Sequence, residues 1–250
     1  MPARRMKPRR AMVLAAGLGL RLRPITNDRP KPLVEVDGRT MLDRALDHLE
    51  AMGVERAVVN SFYLADQIEA HLAARAKPVT EISHEETLLD TGGGIANALG
   101  RLEPGPFFAI NADILWLDGR TPALTRLAAA WEDKNMDALL LVHGTAKAFG
   151  YKGFGDYTVD EIGRMSRREE SEVAPYVFTG IQVLHPRLFV DAPSGAFSLN
   201  LLYDRAESAG RLHAIVHDGE WFHIGTPDAL AETEAELSGR TRTTDLRTRR

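Results

Sequence analysis

Gly17-Leu18-Gly19 is followed closely by four basic side chains, Arg21, Arg23, Arg29 and Lys31. Glycines let backbone amides turn toward an anion and the cations supply counter-charge, so this stretch offers polyphosphate binding. Two common phosphate loops do not fit it. A dinucleotide-binding turn has Gly17, Gly19 and the later Asp37 in its favour, but Leu22 replaces its third glycine. Pro24, Pro30 and Pro32 also forbid the helix that would hold the pyrophosphate. A Walker loop needs Gly-Lys-Ser/Thr, and none follows. Lys31, between Pro30 and Pro32, has a backbone set before any ligand arrives, so its ammonium is placed with little entropy loss. Asp113 follows the apolar run Phe107–Ile110 through Asn111-Ala112, where an acid suits a divalent cation or a helix cap. Asp90-Thr91-Gly92-Gly93-Gly94 is a second glycine-rich stretch, either a flexible turn or bare backbone that lets a flat ring approach closely.

Short elements of alternating type must position these residues. Ala11–Ala16 reads as a strand buried on both faces, entering the glycine loop, and Leu33–Val36 as a second short strand. Apolar residues from Met41 to Met52 recur at helical spacing after Thr40, a good N-cap, and Gly53 ends the run. Strands at 57–60, 79–83, 107–111 and 138–143 alternate with helices at 65–74, 122–131 and a short one after the glycines to Leu99. After residue 144 the pattern shifts to short antiparallel pieces over 150–168, a strand at 177–184, a helix at 197–209 and strands at 212–217 and 221–224. A last helix covers Pro227–Leu237, with Thr226 as its cap. The alternation implies an α/β fold: a Rossmann-like mixed, mostly parallel sheet flanked by helices, in one domain. The expected boundaries are a basic flexible tail at 1–9, a body at 10–238 and a second basic flexible tail at 239–250. Within the body, about 10–143 forms a phosphate-binding half and about 144–238 a second, substrate-binding half.

Composition removes several other classes. The chain has 250 residues, 44% hydrophobic and 26% charged, and no cysteine, so disulfides, thiolate metal sites and a cysteine nucleophile are excluded. The formal charge of −4 conceals basic ends: residues 1–10 carry five basic side chains and no acid, and 240–250 carry five arginines against Asp245. The body between them is strongly acidic, which argues against a nucleic-acid groove. No run of about 18 apolar residues is present, so no membrane span is expected. Arg9-Arg10 before Ala11–Leu20 imitates an export signal, but Arg21 and Arg23 close the run and no cleavage site follows. A cytoplasmic location is the expectation. His48, His71, His84, His143, His185, His213 and His217 are scattered, and the serines lack a G-x-S-x-G elbow, so neither a zinc nor a serine hydrolase site emerges.

The string Leu14-Ala-Ala-Gly-Leu-Gly-Leu-Arg21-Leu-Arg-Pro24-Ile-Thr26, followed by Pro30-Lys31-Pro32-Leu33, resembles the signature of the sugar-1-phosphate nucleotidyltransferases. The resemblance runs from about residue 10 to 236. It implies the nucleotide-diphospho-sugar transferase type of fold and transfer of a nucleotidyl group from a nucleoside triphosphate to a sugar 1-phosphate. It assigns Arg21 and Lys31 to the reacting phosphates and Asp113 to magnesium, making these three the catalytic set. Leu14, Ala15, Ala16, Gly17, Gly19, Gly92 and Gly93 would hold the nucleotide, and Asn111, Gly155, Asp156 and Gly180 the sugar. The closing string Trp221-Phe222-His223-Ile224-Gly225-Thr226-Pro227 is also similar, but His223 stands where the family usually has a second metal-binding aspartate. Asp-Thr-Gly-Gly-Gly-Ile and the compact length are most similar to uridylyltransferases acting on N-acetylmuramate 1-phosphate, a cell-wall recycling step. The alternatives are a mannose-1-phosphate guanylyltransferase and a non-catalytic nucleotide- or sugar-sensing module. UTP and a sugar 1-phosphate are the implied partners, and a homo-oligomer is left open.

Overall fold

In the computed structural model, which describes residues 7–102 and 104–248, the apolar segment before the glycine loop is β1 (Arg10–Leu14). Its side chains alternate between two helical layers: Ala11 and Val13 pack with one core cluster and Met12 with another. The loop after β1 contains two single 3₁₀ turns, Leu20–Leu22 and Lys31–Leu33. There follow the small hairpin β2 (Glu35–Val36) and β3 (Arg39–Thr40), α1 (Met41–Met52), β4 (Arg56–Ser61), α2 (Ala65–Leu72), β5 (Val79–His84) and α3 (Asp90–Ala98). The first half closes with β6 (Phe107–Asn111), β7 (Leu115–Leu117), α4 (Ala123–Ala130) and β8 (Ala138–Gly144). The second half comprises β9 (Tyr157–Val159), β10 (Met165–Arg167), β11 (Tyr176–Leu184), α5 (Asn200–Ser208), β12 (Leu212–Val216), β13 (Glu220–Phe222) and α6 (Pro227–Thr248).

The main sheet runs β12-β8-β11-β6-β1-β4-β5, with β9 and β10 added beside the start of β11. Neighbours from β6 to β5 are parallel, as are β8 and β12, while β11 runs antiparallel to β6 and β8. The expected mixed, mostly parallel sheet is therefore present. Helices α1, α2 and α4 bury Leu46, Ile68 and Leu127 on one face, and α3 and α5 bury Ile95 and Leu202 on the other. A third cluster joins Leu22 of the loop to Met41, Leu115, Phe222, Ile224 and Leu230, fastening the glycine loop to β7, β13 and α6. Helix α1 begins and ends as its sequence dictates. The Thr40 hydroxyl accepts the Asp43 amide at 3.0 Å, and Gly53 closes the helix at φ +85°.

Four elements differ from the sequence reading. Residues 33–36 are not one strand: Leu33 ends a 3₁₀ turn and only Glu35–Val36 pairs, because Pro30 and Pro32 remove two backbone donors. The short strand β7 was not expected, since it follows Asp113 after a single residue. The glycines at 92–94 lie inside α3 rather than in a loop before it. Finally, α6 continues to Thr248 rather than ending at Leu237: Gly239 alone does not stop a helix, and Arg240 bonds back to Glu236 at 2.7 Å and to Glu220. At the other end, Arg9 already bonds to Glu55 at 2.8 Å, so the body starts slightly before residue 10. The rest of the expected N-terminal tail, residues 1–6, lies outside the described residues.

Candidate active site

β1 and β6 are adjacent and parallel, with Leu14 beside Asn111, and the Ala112 amide donates to the Leu14 carbonyl at 2.9 Å. Strand order reverses at β1, since β4 and β5 lie to one side and β6 to the other. A crevice therefore opens beyond the carboxyl ends of β1 and β6, where open α/β sheets hold their ligands. The glycine loop crosses this crevice and is fixed from within. Gly19 sits at φ +64°, its carbonyl accepts from the Thr26 hydroxyl at 2.8 Å, and an added Cβ would lie 3.1 Å from the Lys31 Cβ. Tyr63 then donates to the Thr26 carbonyl at 2.9 Å. A pre-set loop of this kind presents its amides without an ordering cost on binding.

The resulting cavity has a volume of about 550 Å³ and is of small-molecule size. Its walls near the loop come from Gly17, Gly19, Arg21, Lys31 and Asp113, with Leu14, Ala15, Ala16 and Asn111 beneath. All nine were expected to be site residues. Lys31 is nearly buried, its side chain 10% exposed, and its ammonium bonds to Asp113 Oδ2 at 2.7 Å, while Asp113 remains 39% exposed. Cation and carboxylate thus hold each other in place at the crevice mouth, and the second Asp113 oxygen has no partner among the described residues.

The cavity is also lined by Asn60, Glu85 and Leu88, which the sequence analysis did not single out, and by Asp90 and Thr91 at the start of the second glycine-rich stretch. Asn60, buried at the end of β4, accepts the Ala15 amide at 2.7 Å and donates to Glu85 at 2.7 Å. Glu85, also buried, accepts the Leu89 amide at 2.9 Å. This chain couples the glycine loop to the start of α3. Its signal was present in the sequence, because Asn60 directly follows the apolar run Ala57–Val59, and a buried polar side chain must find partners.

Gly92 and Gly93 do not line the cavity, and their lack of side chains has another cause. A Cβ on Gly92 would lie 2.3 Å from the Phe197 ring, and one on Gly93 2.3 Å from the Gly195 carbonyl oxygen. Both amides also face the Phe197 carbonyl, at 2.9 and 3.2 Å. These glycines admit the segment before α5. Gly180 is likewise outside the lining but supports it. It lies at φ +84° where β11 bulges against β8, and a Cβ there would sit 2.9 Å from Asn111 Nδ2. Its bareness leaves room for Asn111.

Gly155 and Asp156 lie outside the cavity lining as well. Gly155, at φ +76°, packs where a Cβ would meet the Ala174 carbonyl at 2.2 Å, and Arg168 donates to its carbonyl at 2.7 Å. Asp156 accepts the Phe178 amide at 2.8 Å, and burial raises its pKa. Beside it, burial and then the Asp156 charge raise the Tyr151 pKa. The Tyr151 ring stands edge-on to His223 at 5.8 Å. Burial lowers the His223 pKa, followed by the charges of Lys31 and Arg21, with Asp113 and Asp156 opposing. A neutral imidazole therefore stands within electrostatic reach of both the Lys31–Asp113 pair and Asp156. Its Nε2 lies over Gly225, where an added Cβ would come within 2.7 Å. Among the described residues no group of three or more His, Asp or Glu side chains is arranged to hold a metal.

A loop of amides and cations facing one carboxylate, over a nucleotide-sized cavity, is equipped to bind a polyphosphate and align it for substitution. The MobA-like NTP transferase domain matches residues 11–225. The chain belongs to that family. It is 44% identical over 236 residues to the N-acetylmuramate alpha-1-phosphate uridylyltransferase of Caulobacter vibrioides, covering 92% of this chain and 98% of the relative. The enzyme of the same name from Neisseria meningitidis is 30% identical, with 90% and 97% covered. The structure of HddC from Yersinia pseudotuberculosis complexed with GMP-PN superposes with a TM-score of 0.74 at 24% identity, covering 91% of this chain and 99% of that one. That last likeness establishes the fold. Among the described residues, no helix of this chain is long and apolar enough to cross a membrane.

Proposed function

We propose that this chain transfers the uridylyl group of UTP to N-acetylmuramate 1-phosphate, forming UDP-N-acetylmuramate and pyrophosphate. One observation carries the reaction class: Arg21, Lys31 and Asp113 line one cavity at the carboxyl ends of β1 and β6. The sugar and the base rest on the 44% identity to the Caulobacter enzyme across nearly both full lengths. An oxygen of the sugar phosphate attacks the α-phosphorus of UTP, the new P–O bond forms in line with the breaking one, and pyrophosphate leaves. The nucleophile is already an anion, so no general base is required; the protein contributes alignment and charge neutralisation. Arg21 has the fork geometry to hold two phosphate oxygens, and Lys31 adds a point charge beside them.

Asp113 suits magnesium, which takes few carboxylates and completes its shell with phosphate oxygens and water, and whose chemistry is to neutralise phosphate charge. Its half-exposed carboxylate, with one oxygen unshared, fits that role. His223, a neutral imidazole, is a poor ligand for so hard an ion and is read as a neighbour that donates or accepts a hydrogen bond. The reading includes a cytoplasmic enzyme of cell-wall recycling. Pyrophosphate release measured across four nucleoside triphosphates and a panel of sugar 1-phosphates tests it. Highest turnover with UTP and N-acetylmuramate 1-phosphate is expected. Preference for GTP with mannose 1-phosphate overturns the substrate and keeps the class, and triphosphate binding without turnover on any sugar favours a sensor.

A further inference from the structure

With phosphates at the Arg21–Lys31 end of the cavity, the nucleoside falls to the end lined by Asn60, Glu85, Leu88, Asp90 and Thr91. Most polar groups there are already used within the protein. Both polar atoms of Asn60 are bonded, each Glu85 oxygen has a donor, and the Thr91 hydroxyl oxygen accepts the Leu199 amide at 3.0 Å. Asn60 and Glu85 are also 3% and 2% exposed, so they form the floor rather than the rim. Asp90 differs on each count. It is exposed on the rim, its Oδ1 accepts only the adjacent Thr91 amide at 2.6 Å, and its Oδ2 has no partner among the described residues. It also stands at φ +60°, in the left-handed region that glycine adopts most readily.

A carboxylate here is costly for a site that binds a polyanion, unless it meets hydroxyl groups. A carboxylate offers only acceptor oxygens to a ligand's hydroxyl groups, and this one stands at the first residue of α3. A flat base can lie over a floor whose polar atoms are already paired, while the hydrated diol of a ribose fits the rim. We infer that Asp90 reads the ribose hydroxyls of the nucleoside triphosphate and so discriminates ribonucleotides from 2′-deoxyribonucleotides. This inference rests on the nucleotidyltransferase reading above and adds a specificity residue to it.

The test compares kcat/KM for UTP and dUTP at saturating N-acetylmuramate 1-phosphate, in the wild type, Asp90→Asn and Asp90→Gly. Asp90→Gly removes the carboxylate and suits the left-handed backbone, so it keeps the fold. The wild type is expected to prefer UTP, and both variants to shrink the UTP:dUTP ratio by about tenfold, the worth of a hydrogen bond to a charged group. The loss should fall on UTP, with dUTP turnover nearly unchanged. An unchanged UTP:dUTP ratio in active variants overturns the inference. So does a change confined to the UTP:CTP ratio, which would make Asp90 a reader of the base. Absence of wild-type turnover with any triphosphate would instead refute the nucleotidyltransferase reading, so the two failures are distinguishable.

Discussion

Gly93→Ala separates a packing role for the α3 glycines from a ligand role. In an ordinary helix interior the change would stabilise by about 1 kcal/mol, because alanine is the better helix former. Here the new Cβ would stand 2.3 Å from the Gly195 carbonyl oxygen, against the 3.4 Å or more of ordinary contact. The segment at 195–199 must then withdraw by roughly 1 Å, a shift of the size that overpacking forces. Four hydrogen bonds tie that segment to the start of α3: Gly92 and Gly93 to the Phe197 carbonyl at 2.9 and 3.2 Å, Phe197 to the Leu89 carbonyl at 3.1 Å, and Leu199 to the Thr91 hydroxyl at 3.0 Å. Weakening two of them at about 1 kcal/mol each, with overpacking of about 1–3 kcal/mol, outweighs the propensity gain. The net expectation is a loss of about 2–4 kcal/mol, or about 5–15 °C in Tm for a chain of this size. Urea and thermal unfolding measure it, with Gly100→Ala as the control, since nothing lies within 4 Å of a Cβ at Gly100. A Gly93→Ala protein as stable as the wild type refutes the packing argument. A stable protein that has lost only UTP affinity would restore these glycines to the nucleotide site.

Arg21→Lys should lower kcat by roughly 10²-fold, the effect of losing a preorganised donor to a charge that develops in the reaction. A rise in KM with kcat unchanged in steady-state kinetics would show that Arg21 only anchors substrate. Asp113→Ala should abolish turnover, while His223→Asp should keep or raise magnesium-dependent activity; titrating Mg²⁺ and Mn²⁺ into both variants checks this. An active Asp113→Ala enzyme refutes the metal assignment, and a dead His223→Asp enzyme shows that the imidazole itself is needed. His217, buried with its Nε2 facing the Leu117 and Glu220 carbonyls at 3.1 and 3.3 Å, has its pKa lowered by burial, as do His185 and His213. With folded values below the unfolded value of about 6.5, the stability these groups contribute is complete above that pH and declines as pH falls through the folded values. The urea midpoint should therefore drop between about pH 6.5 and 5, and a flat midpoint over that window would contradict it.

Much of the site was legible because it is local. The glycine loop, Lys31 between two prolines and Asp113 at a strand end are consecutive patterns, and each lies in the cavity wall. Parallel strands buried on both faces made β1, β4 and β6 readable as apolar runs. What failed to show was long-range. Whether Gly92 and Gly93 face a ligand or the segment at 195–199 depends on contacts across about a hundred residues, which no local pattern encodes. Of the Ala15–Asn60–Glu85 chain only the polar Asn60 after an apolar run shows in the sequence; its partners come from other crossings of the sheet. The sequence pattern ends the last helix at Leu237, its last apolar residue before a polar run, whereas α6 continues to Thr248.

The central claim is a reaction, and product analysis tests it most directly. The purified protein is incubated with UTP, N-acetylmuramate 1-phosphate and Mg²⁺, and UDP-N-acetylmuramate and pyrophosphate are quantified together by mass spectrometry and phosphorus NMR. The account predicts equal amounts of the two products from the wild type, and none from Asp113→Ala. UTP consumed without a sugar nucleotide, or no product from the folded wild-type protein, would contradict it.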